Sequence, residues 1–249
     1  MNKLMLFIHK TGSPPWFYEN SGRLLPWIWG LFFALAATGL YLGLLQAPPD
    51  YLQGESARIM YVHVPSAYLS MMIYALMATM GFVGLVWHIR IAEILMISSA
   101  PIGATFTALA LFTGAVWGKP TWGTYWVWDA RLTSELILLF LYFGVMGLYS
   151  AYDEPRKAAR AAALLALVGV VNLPIIHFSV TWWNTLHQPP SLTTDGSSIH
   201  PSMLVPMLVM LFAWKVFYLG NLITRARLRL LEQDQRKRWV AHALGRGGN

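Results

Sequence analysis

Residues 94–116 read Ile-Leu-Met-Ile-Ser-Ser-Ala-Pro-Ile-Gly-Ala-Thr-Phe-Thr-Ala-Leu-Ala-Leu-Phe-Thr-Gly-Ala-Val, a run without a single charge. A helix crosses a bilayer with about 20 mostly apolar residues, so this stretch is long enough to span one. Comparable runs lie at approximately 25–46, 66–88, 132–150, 161–180 and 203–223, with Glu135 and Lys215 the two charges among them. The first is too long, and too aromatic at its mouth (Pro26, Trp27, Trp29), for a cleaved signal peptide. The expectation is an all-α, polytopic membrane protein of six transmembrane helices, one membrane domain over residues 1–249.

Composition agrees. Of 249 residues 56% are hydrophobic and 12% charged, with a mean hydropathy of +0.48. A soluble domain carries roughly 25% charged residues, which disfavours an ordinary cytosolic enzyme. The absence of cysteine excludes disulfides, thiolate metal sites and covalent haem attachment through C-x-x-C-H. Metal chemistry therefore falls to the seven histidines.

An even number of spans puts both termini on one side, and Lys/Arg placement orients them. The segments on that side hold Lys3, Lys10, Arg23, Arg90, Arg156, Lys157, Arg160, Arg225, Arg227, Arg229, Arg236, Lys237, Arg238 and Arg246, against only Arg58, Lys119 and Arg131 opposite. The positive-inside rule sets both termini in the cytoplasm and turns loops 47–65, 117–131 and 181–202 outward. The net charge of +7 is thus explained by topology and by a basic tail, 224–249, lying on anionic lipid. It calls for no nucleic acid.

The central outer loop reads Trp117-Gly-Lys-Pro-Thr-Trp122-Gly-Thr-Tyr125-Trp126-Val-Trp128-Asp129-Ala-Arg131. An interfacial aromatic belt needs one or two such rings per helix end, so this density suggests a shelf for a flat amphipathic ligand. Trp122 and Trp126 would share a face if the segment were helical. Trp182 and Trp183 add two rings on the next outer loop.

His63, His187 and His200 fall on outer loops and His177 near the outer end of span five, while His9, His88 and His242 lie inside. His63 precedes span two and His187 precedes span six, each followed by proline, which is expected to hold the backbone extended. Iron in a porphyrin offers two axial positions that imidazole commonly fills. Two histidines and an indole shelf suit it better than zinc, which asks for three or four ligands. Sidedness alone does not separate His63 and His187 from His177 and His200. Asp129 reads either as the N-cap of span four or as a residue at the ligand. Arg58, Lys119 and Arg131 are the outer cations able to meet propionates, and Glu135 is expected to pair with Arg131 one turn away.

The stretch 117–135, ending Trp128-Asp-Ala-Arg-Leu-Thr-Ser-Glu135, resembles the tryptophan-rich WWD signature of the haem-handling proteins of cytochrome c maturation. Together with Arg58-Ile-Met-Tyr-Val-His63-Val-Pro, Val171-Asn-Leu-Pro-Ile-Ile-His177 and Trp182-Trp-Asn-Thr-Leu-His187, it is similar to the six-span CcmC family in particular. The likeness runs from about residue 25 to 224. It implies a multi-pass protein of the bacterial inner membrane, not an enzyme, that binds haem b on the periplasmic face and presents it to the chaperone CcmE beside CcmD and the cassette subunits CcmA and CcmB. Carried over, His63 and His187 are the axial ligands and Trp117, Trp122, Trp126, Trp128 and Asp129 the platform. Tyr125 stands where the family pattern carries tryptophan and keeps the aromatic face. Competing readings are a b-type cytochrome, which would hold histidine pairs within the bundle, and a channel carrying haem through it. The first lacks a pair on both faces; the second lacks mid-depth charges for propionates. A Gly-x-x-x-x-Gly-Lys-Ser/Thr loop for nucleotide is absent.

Overall fold

The computed structural model describes residues 12–188, 191–193 and 196–245. Lys3, His9, Lys10 and Arg246, and the prolines at 189 and 190, lie outside them. Six helical segments are long and apolar enough to cross a membrane. They comprise α1 (Pro14–Tyr41) with a π-helical end, Leu42–Gln46, and a 3-10 turn, Glu55–Ile59, leading into α2 (Met60–Trp87). Then come α3 (Arg90–Trp122), α4 (Ala130–Ser150), α5 (Pro155–Gly169) with α6 (Asn172–Trp182), and α7 (Pro201–Gln233). A short helix α8 (Arg238–Ala243) follows, and strands Leu192–Thr193 and Gly196–Ser197 pair in the loop before α7.

The core is aromatic and tight at its centre. Tyr61, Leu69, Ile73, Tyr74, Met77, Met96, Ile97, Leu138 and Tyr142 are buried. Tyr74 and Tyr142 meet edge to face at 5.0 Å, and Tyr142 fits because Gly103 opposite it has no Cβ. In hydrocarbon every polar group needs an internal partner. Accordingly the Tyr142 hydroxyl donates to Ser70 O at 2.7 Å, and Ser99 and Tyr218 share a bond at 2.9 Å. Ala158, Ala162, Ala163 and Ala166 form the buried face of α5, small residues that let helices approach closely.

Three features depart from the sequence reading. The fifth span is broken: α5 stops at Gly169 and α6 starts at Asn172, joined by short-range bonds such as Leu173 N–H to Val170 O. Pro174 lacks the N–H that would bond back to Val170, and Asn172 meets the neighbouring helix by donating to Ser134 O at 2.9 Å. Pro101 and Pro206, by contrast, sit inside uninterrupted helices. Second, several helices outrun their apolar windows. α2 already contains His63 and Pro65, so the chain after His63 is helical and not extended. Third, α3 continues to Trp122 and ends because Gly123 adopts φ 79°, a left-handed conformation natural to glycine. Trp122 is therefore helical and Trp126 is not, which removes the shared helical face expected of them.

Both described termini meet at one end. The guanidinium of Arg227 on α7 lies 3.8 Å over the Tyr18 ring of α1, and Tyr18 touches Trp239 of α8. Nearby, Arg90 bonds both oxygens of Asp234 at 2.6 and 2.9 Å. The tryptophan loop occupies the opposite end.

Candidate functional site at the tryptophan end

His63 enters the site from the first turns of α2 and leans on α3. Its ring lies 5.6 Å from that of Trp117 at 76°. A Cβ on Gly114 would stand 2.9 Å from its Cε1, so glycine there makes room for the imidazole. Nδ1 is 3.1 Å from Thr113 Oγ1, and that hydroxyl itself donates to Leu109 O at 2.6 Å. Its one proton being spent, Thr113 accepts from Nδ1–H. This leaves Nε2 with a free lone pair, the arrangement by which a second partner prepares a histidine for metal.

His187 approaches from the loop after α6. Its ring meets Trp122 at 4.8 Å, edge to face, and its Nδ1 stands 3.6 Å from Asp129 Oδ2. Burial first, then the charge of Arg131, holds this imidazole down to about 4 against the opposing pull of Asp129. It is therefore neutral at physiological pH, the form that binds metal. His63 and His187 lie within electrostatic reach of one another and of Arg131.

Asp129 is the N-cap of α4 and also approaches His187. Oδ1 accepts from Leu132 N–H at 2.8 Å and caps α4, while Oδ2 faces His187. A common local device aims Trp126 and His187. In Thr124-Tyr-Trp126 the threonine hydroxyl bonds the backbone two residues on, and Thr185-Leu-His187 repeats it, with His187 N–H to Thr185 Oγ1 at 3.1 Å.

The rings do not form one flat shelf. Trp117 and Trp122 are half-buried against the histidines and Trp126 is half-buried against Trp128, whereas Tyr125 and Trp128 are exposed. Trp126 and Trp128 meet at 5.3 Å and 77°, with Trp126 Nε1 buried and unpartnered among the described residues. Trp182 stacks on Phe178 at 5.1 Å and touches Trp183; no ring contact joins either to the two histidines. His177 is exposed beside Phe178, and His200 caps α7 through Ser202. Geometry thus separates both from His63 and His187.

The outer cations differ in commitment. Arg58 bonds Gly43 O at 2.7 Å and the carboxylate of Glu55, tying the end of α1 to the 3-10 turn. Lys119 donates to Gly123 O at 3.0 Å and lies over Tyr125. The Arg131 guanidinium has no hydrogen bond or ion pair to any described residue. It does not close on Glu135, which is buried against Ser70 with Oε1 unbonded. Sequence reasoning missed Thr113, Gly114 and Gln53. Gln53 Oε1 receives the Trp117 indole N–H at 2.8 Å and fastens the 47–54 loop to α3. Only the four-residue spacing of Thr113 and Trp117, one face of α3, signalled any of this in advance.

Comparison with known proteins adds a second line. The family model described as "Heme exporter protein C" matches residues 7–241. The chain is 49% identical to "Heme exporter protein C" of Haemophilus influenzae over 235 residues, covering 94% of this chain and 96% of that one. It is 47% identical to the protein of the same description from Escherichia coli K12, covering 97% and 98%. A "Putative cytochrome c biosynthesis ccmC-like mitochondrial protein" of Arabidopsis thaliana is 45% identical over 179 residues, covering 72% and 68%.

Proposed function

Because the chain belongs to the CcmC (heme exporter protein C) family, a multi-pass inner-membrane delivery subunit that handles haem for cytochrome c maturation, we propose that its tryptophan end binds haem b on the periplasmic face. There it presents the haem to the chaperone CcmE. Haem is the cargo of this site. The observation carrying the reading is the matched preparation of two imidazoles. His63 Nδ1 bonds Thr113, His187 Nδ1 faces Asp129 at 3.6 Å, no described residue bonds either Nε2, and each ring packs against a tryptophan of α3.

In this reading His63 and His187 supply the axial nitrogens and Trp128, whose ring is exposed, supplies a stacking face. Arg131, uncommitted and in electrostatic reach of both histidines, meets a propionate; Arg58 is the second cation once it exchanges Glu55 for the other propionate. Neutral His187 ligates without first losing a proton. Assembly with CcmD, CcmA and CcmB is part of the same proposal, since this chain carries no nucleotide-binding loop.

The test is the visible spectrum of the haem-loaded protein. His63→Ala and His187→Ala should each convert a low-spin ferric spectrum to high spin and halt transfer to CcmE. His177→Ala and His200→Ala should leave both unchanged. Free imidazole should restore the low-spin form to the first two. A spin change in His200→Ala with a parent spectrum in His187→Ala would refute the axial pair. Haem retained stoichiometrically after CcmE is added would favour a resident b-type cytochrome instead.

A further inference from the structure

At the end opposite the histidines, a cavity of about 620 Å³ opens between the α2–α3 turn, the first turns of α5 and the end of α7. Its walls are of two kinds. Leu85, Ile94 and Leu164 give an apolar side, of which Leu164 is exposed and Ile94 buried, while Arg156, Lys157 and Arg160 give a basic side.

Most charges here already have partners. Arg90 is held by Asp234 and Gln233, and Lys157 pairs with Glu154 at 2.8 Å. Glu93, at the cavity floor, feels Arg156, His88 and Arg90. Arg156 and Arg160 have no hydrogen bond or ion pair to any described residue. They stand four residues apart on α5, so two like charges share one helix face, an arrangement that destabilises a helix unless an anion joins them. The N-cap Glu154 makes no side-chain cap, and Pro155 opens the helix. The unsatisfied N–H groups and positive dipole end of α5 therefore lie at the same end of the helix as Arg156 and Arg160.

We propose that this cavity binds the phosphate of an anionic phospholipid, held by Arg156 and Arg160 at the start of α5 with its acyl chains along Leu85, Ile94 and Leu164. Arginine meets phosphate bidentately, and basic pockets between spans are where such headgroups lodge. A free phosphate ion shares the headgroup chemistry but has no use for the apolar wall. The site is independent of the haem reading.

The full-length protein is reconstituted in vesicles of phosphatidylcholine and phosphatidylglycerol in equal amounts, re-extracted in mild detergent, and its retained lipid counted by native mass spectrometry. Phosphatidylglycerol should be retained in preference to phosphatidylcholine, and each arginine removed, in Arg160→Gln and in Arg156→Gln/Arg160→Gln, should lower that retention about fivefold. Arg236→Gln/Arg238→Gln, in the exposed tail outside the cavity, whose surface contact with lipid is lost on extraction, should leave it unchanged. Leu164→Trp, at a half-exposed position, should block retention without altering charge, which keeps the test intact if the double arginine variant does not fold. Equal retention of the two lipids, or retention indifferent to Arg156 and Arg160, overturns the proposal. Inorganic phosphate is titrated calorimetrically into the delipidated protein as the second arm. Arginine-dependent phosphate binding without lipid retention would overturn the lipid as occupant and leave a soluble anion in its place.

Discussion

The carboxylate of Asp129 stands 3.6 Å from Nδ1 of His187 with one oxygen, while its other oxygen caps α4 at Leu132 N–H, 2.8 Å away. One side chain thus joins the start of a span to the orientation of an imidazole, and two substitutions separate these duties. Asn is as good an N-cap as Asp, so Asp129→Asn should keep the melting temperature. By weakening the charge behind His187 it should raise the reduction potential of bound haem. Asp129→Ala should also lose about 0.5–2 kcal/mol of stability. Equal melting temperatures for Ala and Asn would show that the cap contributes nothing.

Thr113 is the corresponding partner of His63. Thr113→Val keeps the shape and removes the hydroxyl acceptor at Nδ1–H, leaving the Ala110 carbonyl nearby, and loss of such a partner lowers metal affinity about 10- to 100-fold. Haem titration should show this loss, and Thr113→Ser should recover it. In the haem-free protein, nitrogen NMR of His63 should report the Nδ1–H tautomer in the parent and a mixture in the Val variant. A single unchanged tautomer in Thr113→Val would remove Thr113 from the mechanism.

Orientation is tested by reporters. With the basic residues concentrated at the terminal end, a reporter fused after Asn249 should behave as cytoplasmic and one in loop 181–202 as external. The reverse pair of results would turn the tryptophan end inward.

The spans were legible because each is a long apolar run with at most one charge, and their centres coincide with the helices. What lay beyond the apolar windows was not. Residues 117–122 contain Lys119 and Pro120 yet stay helical until Gly123 stops them. The break before Asn172 showed only as Pro174, whose analogues Pro101 and Pro206 break nothing. Within the site, the tryptophans and histidines were visible as residue types. Thr113 and Gln53 act on partners 50 and 64 residues distant, which no local pattern encodes. The expected Arg131–Glu135 pair had the right spacing but not the contact, and this leaves Arg131 available.

Asp234 makes the terminal end sensitive to acid. Burial pushes its carboxyl up, but bonds from Arg90, Lys237 and Trp239 outweigh that and hold it at about 2, below the ordinary 3.8. A group depressed on folding contributes stability that is complete above its unfolded value and is lost as pH falls through its folded one. The melting temperatures of parent and Asp234→Asn should therefore differ by a constant amount above about pH 5 and converge as pH falls from 3.8 through about 2. A difference that persists unchanged at pH 2 would assign the variant's defect to packing.

The tryptophans should prove unequal. Trp126 and Trp128 are inclined at 77°, so a planar porphyrin lying face to face with one meets only the edge of the other. Trp128 is 76% exposed and offers its face at little cost, whereas Trp126 is half-buried beneath it. Trp128→Ala should weaken haem binding by about 1–3 kcal/mol, the range for aromatic stacking on planar bases, with the melting temperature unchanged. Trp126→Ala should instead lower the melting temperature, its loss of haem following from a displaced Trp128. The double variant should then lose less binding than the sum of the singles, because one stacking face is removed only once. Haem titration and thermal unfolding of the three variants decide this. Strictly additive binding losses with no change in melting temperature would mean that both rings face the haem, and that the loop re-forms into a flat shelf when haem binds.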